Sequence, residues 1–149
     1  MTTVRFHLNG EPVEVDVAAT SLLLDVVRAT GNTGTKEGCG VGVCGACTVL
    51  LDDLPVSSCL LLAPCAEGAE VWTSEGLAAR DPALIDAFVE HEGMQCGICT
   101  PGQVVAAHAL KHDYPNADEE TIRRIMAGNL CRCTGYASIV AAVGEYLAR

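Results

Sequence analysis

Eight of the nine cysteines in this 149-residue chain fall into two groups of four. Cys39, Cys44 and Cys47 stand in the run Glu37-Gly38-Cys39-Gly40-Val41-Gly42-Val43-Cys44-Gly45-Ala46-Cys47, and Cys59 follows downstream. C-x4-C-x2-C with a later fourth cysteine is the plant-type pattern by which four thiolates hold a [2Fe–2S] cluster. Cys96 and Cys99 form a C-x2-C, and Cys131 and Cys133 a C-x-C much later. Four more thiolates make a second such site, and two one-electron centres in one chain read as an electron relay.

Zinc is the competing reading. Zinc motifs favour two short Cys/His pairs, which the first group fits poorly. The second group, taken on spacing alone, suits zinc or a cluster. Disulfides are a further alternative for the first group, and a cytoplasmic setting opposes them. In the first group, Gly38, Gly40, Gly42 and Gly45 are interleaved with the thiols. They let the backbone wrap closely and aim N–H groups at sulfur. In the second group each cysteine pair lies in a loop between helices. The N-terminal end of the following helix would offer N–H groups and a positive dipole end to an anion.

The remaining candidates are weaker. Cys65, next to Leu61 and Leu62, reads as a small buried hydrophobe. His108 and His112 are spaced to share a helix face, but no third ligand accompanies them. They and His7 and His91 read as surface or packing residues. Lys36 and Glu37 precede the first loop either as solvated charges or as a shield for the site. No nucleophile stands with a base, and no phosphate-binding glycine loop is present, so no catalytic residue is assigned.

These residues need elements to hold them. Val4, Phe6 and Leu8 alternate with polar residues, Asn9-Gly10 turns the chain, and Val13, Val15 and Val17 return it as a hairpin. Thr20 or Ser21 is expected to cap a helix over Leu22 to Thr30, stopped by Gly31. Thr48 to Leu51 and Leu54 to Ser57 form a second hairpin around Asp52-Asp53, and Val71 to Thr73 a last strand. This is a β-grasp-like sheet with a helix across it.

The second half is helical. A stripe of Leu84, Ile85, Phe88 and Val89 marks a helix from Pro82 to His91. Thr100-Pro101 reads as N-cap and first residue of a helix carrying Val104, Val105, His108 and Ala109. Asn116 and Glu119 resemble a capping box for a helix with Ile122, Ile125 and Met126, ended by Gly128. A last helix holds Ile139, Val140, Val143, Tyr146 and Leu147. Four helices in two pairs suit a small bundle. The expected fold is therefore α+β, with domains at 1–76 and 77–149 meeting in the polar stretch Ser74 to Ala79.

Bulk composition narrows the function. Half of the residues are hydrophobic, so a core forms without disulfide staples. The net charge of −10 opposes nucleic-acid binding, which depends on Lys and Arg. No stretch approaches the about 18 apolar residues of a membrane span. Met1 to Gly10 lacks the pattern of a signal peptide, so the thiols are expected in the reducing cytoplasm.

Longer motifs surround the thiols. Thr35-Lys36-Glu37-Gly38-Cys39-Gly40, Cys44-Gly45-Ala46-Cys47-Thr48-Val49 and Pro55-Val56-Ser57-Ser58-Cys59 resemble the first cluster motif of the molybdenum hydroxylase (xanthine oxidase) family. Gln95-Cys96-Gly97-Ile98-Cys99-Thr100-Pro101-Gly102 and Gly128-Asn129-Leu130-Cys131-Arg132-Cys133-Thr134-Gly135-Tyr136 resemble its second. The resemblance covers nearly the whole chain. It implies a separate small iron–sulfur subunit, with a plant-type ferredoxin domain followed by a four-helix bundle of pseudo-twofold symmetry.

The resemblance also implies partners. A large subunit would carry molybdopterin, in bacteria often as the cytosine dinucleotide, and a medium subunit FAD, in a dimer of heterotrimers. The helical-domain cluster would lie nearer molybdenum and the other nearer flavin. Gln95 would hydrogen-bond the pterin, and Cys133 would ligate iron close to the pterin edge. The implied reaction hydroxylates an aldehyde, a purine or another N-heteroaromatic; relatives oxidise carbon monoxide. Val41 departs from the pattern, standing where many members have Glu. A stand-alone two-cluster ferredoxin and a zinc-stabilised interaction module are the rival classes.

Overall fold

The computed structural model describes residues 1–149. Strand β1 (Thr2–Leu8) buries Val4, Phe6 and Leu8 and exposes the residues between them. Asn9 and Gly10 both take positive φ, 55° and 86°. That is the twist a two-residue hairpin turn needs, and it sets β2 (Glu11–Val17) antiparallel with Leu8 opposite Glu11. Asp52 and Asp53 repeat the device, with φ 48° and 65°, between β3 (Thr48–Leu51) and β4 (Leu54–Ser57). Strand β5 (Glu70–Trp72) runs parallel to β1 and antiparallel to β3, giving the order β2-β1-β5-β3-β4. Helix α1 (Leu23–Ala29) lies across this sheet, with Leu23, Val26 and Val27 in one core with Val4, Phe6, Val49 and Val71.

The start of α1 differs from expectation. Leu22 is the N-cap and makes no side-chain cap bond. The Ser21 hydroxyl instead accepts from the Ala18 N–H. The free N–H groups of Leu23 and Leu24 donate to the carbonyls of Leu61 and Ser58, 2.8 and 3.2 Å away. A neighbouring segment thus supplies the acceptors that a capping hydroxyl would otherwise provide.

Ser74 to Ala79, the polar stretch where the two domains are expected to meet, is helical. It lies in helix α2 (Ser74–Arg80), whose Leu77 is fully buried with Leu50, Val105 and Ala109. One apolar residue in a polar stretch was enough to anchor it. A 3-10 turn spans Ala63–Ala66. Its three-residue period turns Ala63 and Ala66 inward and leaves Cys65 exposed, which overturns the buried reading of that thiol.

Helices α3 (Pro82–Glu90), α4 (Thr100–Asp113), α5 (Glu119–Met126) and α6 (Ala137–Ala148) enclose the second core, built on Leu84, Phe88, Leu110, Met126, Ile139 and Tyr146. Two caps shift. Cys99, not Thr100, precedes α4, so Thr100 and Pro101 are its first two residues. Asp118, not Asn116, caps α5, its carboxylate accepting from the Thr121 N–H at 2.9 Å. Helix α4 has two buried faces: Val104 and Leu110 enter the bundle, while Val105 and Ala109 meet Leu50 and Leu77. It is the wall shared by the two halves.

Candidate iron–sulfur sites

The loop between α1 and β3 carries the first three cysteines. The Cys39 sulfur accepts N–H groups from Val41, Val43 and Cys44 at 3.3–3.4 Å. Those bonds, led by Val41, bring its thiol down to about 6. The Ala46 N–H reaches the Cys44 sulfur at 3.5 Å. Cys44 is also within side-chain reach of Cys39. Cys47 and Cys59 are buried beside Leu24 and touch each other. Burial first, then the Cys47 thiol, pushes Cys59 up, against the Gly42 N–H that points toward it. This set therefore grades outward, from buried Cys47 and Cys59 to exposed Cys39.

The second set comes from the loops before α4 and α6. Cys99 faces Cys131, and Cys133 faces Cys96. Burial first, then Cys131 and Cys96, pushes Cys99 up to about 12. Burial also works to raise Cys131, but the Thr134 hydroxyl and the N–H groups of Thr134 and Cys133 outweigh it, to about 7. The Cys96 thiol raises Cys133. The four sulfurs open onto a concavity of about 690 Å³ that they share with Ile98, Leu130 and Tyr136. Gln95 is exposed next to Cys96.

Each set fits a [2Fe–2S] cluster. All eight donors are sulfur, with no carboxylate or imidazole among them. The thiols meet in pairs, Cys39 with Cys44, Cys47 with Cys59, Cys99 with Cys131 and Cys96 with Cys133. Facing pairs suit two irons that take two thiolates each. In each set hydrogen-bond donors hold one thiol down, Cys39 or Cys131, while burial first of all holds a deeper one up, Cys59 or Cys99. A bound cationic iron centre would favour the thiolate form of all of them.

A junction of polar groups joins the two sets. The Leu130 N–H donates to the carbonyl of Cys44 at 2.8 Å. The Asn129 amide donates to the Gly45 carbonyl at 2.9 Å and to the Thr48 hydroxyl at 3.2 Å. Buried Gln103 donates to the Asn129 carbonyl at 2.6 Å. Gly45 sits at φ 73°, and a Cβ on Gly102 would lie 2.2 Å from the Gly45 carbonyl oxygen. Helix α4 therefore lies directly on the first cysteine loop. The sequence motifs around the thiols include Cys44, Gly45, Thr48, Gly102, Asn129 and Leu130 but not Gln103. The legible signals were a glutamine on an otherwise apolar helix face and an asparagine two residues before a thiol.

The histidines stay apart from both sets. His108 is partly buried beside Asp81 and the Tyr146 hydroxyl, which donates to Asp81 at 2.6 Å. His112 is exposed and pairs with Asp113. Lys36 folds back onto the Thr33 carbonyl. Val41 is 65% exposed, on the outer side of the first site.

Two half-chains, each with its own thiol set, define a protein built to hold two iron–sulfur clusters. Comparison with known families agrees. The 2Fe-2S iron-sulfur cluster binding domain matches residues 6–78, and the [2Fe-2S] binding domain matches residues 73–144. The nicotinate dehydrogenase small FeS subunit of Eubacterium barkeri is 43% identical over 144 residues, 95% of this chain and 92% of that one. Quinoline 2-oxidoreductase from Pseudomonas putida 86 superposes with a TM-score of 0.93 at 40% identity, over 99% of this chain and 94% of the matched chain. Aldehyde oxidoreductase from Desulfovibrio desulfuricans ATCC 27774 also gives 0.93 at 40% identity over 99% of this chain, but only 17% of that much longer polypeptide. The chain belongs to the small iron–sulfur subunits of the molybdenum hydroxylase family. Such subunits serve oxidoreductase complexes, and electron transfer is the function that two [2Fe–2S] domains carry.

Proposed function

We propose that this chain relays single electrons from a molybdopterin site in a large subunit to FAD in a medium subunit, or to an external acceptor. Cys96, Cys99, Cys131 and Cys133 hold the cluster nearer molybdenum. Cys39, Cys44, Cys47 and Cys59 hold the one nearer flavin. Each cluster, when bound, supplies a one-electron centre whose potential follows hydrogen bonding, charge and exposure. The chain's own residues fix the sulfurs, aim N–H groups at them and hold the two sites in register. Residues 1–76 and 77–149 form the two domains. Gln95 hydrogen-bonds the pterin, present as the cytosine dinucleotide, and Cys133 lies at its edge. The substrate is an N-heteroaromatic, a purine or an aldehyde, turned over by a dimer of heterotrimers in the cytoplasm. No helix of this chain is long and apolar enough to cross a membrane.

The observation that carries this reading is the Leu130 N–H bond to the Cys44 carbonyl. It joins the residue before Cys131 to a cysteine of the other set, so the two sites adjoin rather than occupy opposite ends of the molecule. The test is EPR of the purified complex. Cys47→Ser and Cys99→Ser are each expected to abolish a different one of two signals and to halve an iron content of about four per chain. Persistence of both signals in either variant overturns the ligand sets. Native co-purification is expected to recover two larger chains; elution of this chain alone, carrying both clusters, would make it a free carrier instead.

A further inference from the structure

We infer that the Thr134 hydroxyl sets the potential of the second cluster by donating a hydrogen bond to the Cys131 sulfur. This rests on the reading of Cys96, Cys99, Cys131 and Cys133 as that cluster's ligands. The Thr134 Oγ1 lies 3.2 Å from the Cys131 sulfur. The Tyr136 N–H donates to that same oxygen at 3.1 Å. With a lone pair so engaged, the hydroxyl hydrogen is left to point at sulfur. The Cys131 N–H in turn donates to the Tyr136 phenol oxygen at 2.9 Å. Cys131, Thr134 and Tyr136 therefore close a ring of three hydrogen bonds around one ligand.

The backbone bears a cost to make this ring. Tyr136 has φ 69°, and the preceding Gly135 has φ 62°. A left-handed aromatic residue is uncommon and persists only where its surroundings hold it. Here that conformation brings the Tyr136 N–H to the threonine oxygen and its phenol back to Cys131. No other threonine or serine hydroxyl of the chain donates to a cysteine sulfur. In the first set the donors to sulfur from outside the thiols themselves are backbone N–H groups, at Cys39, Cys44 and Cys59. A side-chain donor is thus a feature of the second site only.

The electrostatics give the sign. Reduction adds one electron to the cluster; no covalent bond forms or breaks, and the hydroxyl proton stays on Thr134. The added negative charge spreads onto the thiolates, where a donor stabilises it. Thr134 therefore raises the potential of the second cluster relative to a site lacking the hydroxyl. It acts by tuning rather than by ligation.

The experiment is an EPR-monitored redox titration of the purified complex, wild type against Thr134→Val and Thr134→Ser. Valine keeps the shape and deletes the donor; serine keeps the donor and deletes the methyl. The expected result is a lower midpoint for the second cluster in Thr134→Val, an unmoved first cluster, and a wild-type midpoint in Thr134→Ser. A merely structural role would not move one potential and spare the other. An unchanged second midpoint in Thr134→Val, with both signals present, overturns the inference and leaves the ligand reading intact. If Thr134→Val loses the cluster, retention at wild-type potential in Thr134→Ser sustains the role of the hydroxyl, and loss in both variants overturns it. A wild-type complex with only about two irons per chain removes the second cluster, and with it the ligand reading itself.

Discussion

Gly102 shows how much one hydrogen atom can carry. Its missing side chain lets α4 rest on the Gly45 carbonyl, since a Cβ there would stand 2.2 Å from that oxygen. Backbone cannot swing aside as a flexible side chain does. Gly102→Ala is expected to push α4 off the first cysteine loop and to destabilise the protein by about 1–3 kcal/mol. Chemical denaturation of the cluster-bound chain measures this, and a loss near zero would mean that the junction yields freely. His108 supplies a second test. Burial holds its imidazole below its ordinary value of 6.5, against the raising effect of Asp81. As pH falls below 6.5, the unfolded chain takes the proton first, so stability drops through the window down to the folded value and the loss is complete below it. His108→Gln is expected to flatten the fall in unfolding free energy between neutral pH and pH 5; equal slopes would refute it. Residues of this kind were the least legible in sequence. A glycine pressed on a carbonyl and a threonine aimed at a sulfur look like any other glycine and threonine until the chain is folded.

Elements were more legible than their ends. Period-two burial and the Asn9-Gly10 pair announced the first hairpin, because turn chemistry and alternation are local properties. Helices α3 to α6 followed from apolar spacing in the same way. Caps were misplaced because several polar residues in a row compete for one position. Asn116 and Asp118 both precede α5, and Asp118 has the extended backbone, φ −75° and ψ 169°, from which its carboxylate reaches the Thr121 N–H. That bond keeps the Asp118 carboxyl below the usual range. Asp118→Ala is therefore expected to lower the melting temperature by roughly 4 °C, and Asn116→Ala to leave it nearly unchanged. Calorimetry of the two variants decides between the caps, and the reverse order would restore Asn116. Helix α2 stayed hidden for another reason. Its only buried residue is Leu77, so no apolar periodicity exists to read, and the partners that hold it come from β3 and α4.

At the scale of the whole molecule, the join between the halves governs what the chain can do. Two redox sites exchange electrons at a rate that falls steeply with separation, so a relay must fix that separation as firmly as it fixes each site. Motif spacing located both thiol sets but carried nothing about their mutual placement, since the contacts that set it pair residues far apart in the chain. Asn129 is the centre of those contacts. Its amide holds the Gly45 carbonyl and the Thr48 hydroxyl of one half. Its own carbonyl takes the Gln103 amide of the other. Asn129→Ala keeps the backbone carbonyl and so keeps the Gln103 bond, and it leaves the Leu130 N–H on the Cys44 carbonyl, but it releases the two side-chain bonds that cross the junction and leaves a void where the amide lay. The expected cost is about 1–3 kcal/mol, with all eight thiols still in place. Both EPR signals should therefore survive, while the magnetic interaction between the two reduced clusters weakens and electron passage between them slows. Pulsed EPR and rapid-freeze reduction of the intact complex read these two quantities separately. If stability falls while spin coupling and transfer rate keep their wild-type values, the separation is set elsewhere along α4, and Gln103 and Gly102 become the residues that hold the relay in register.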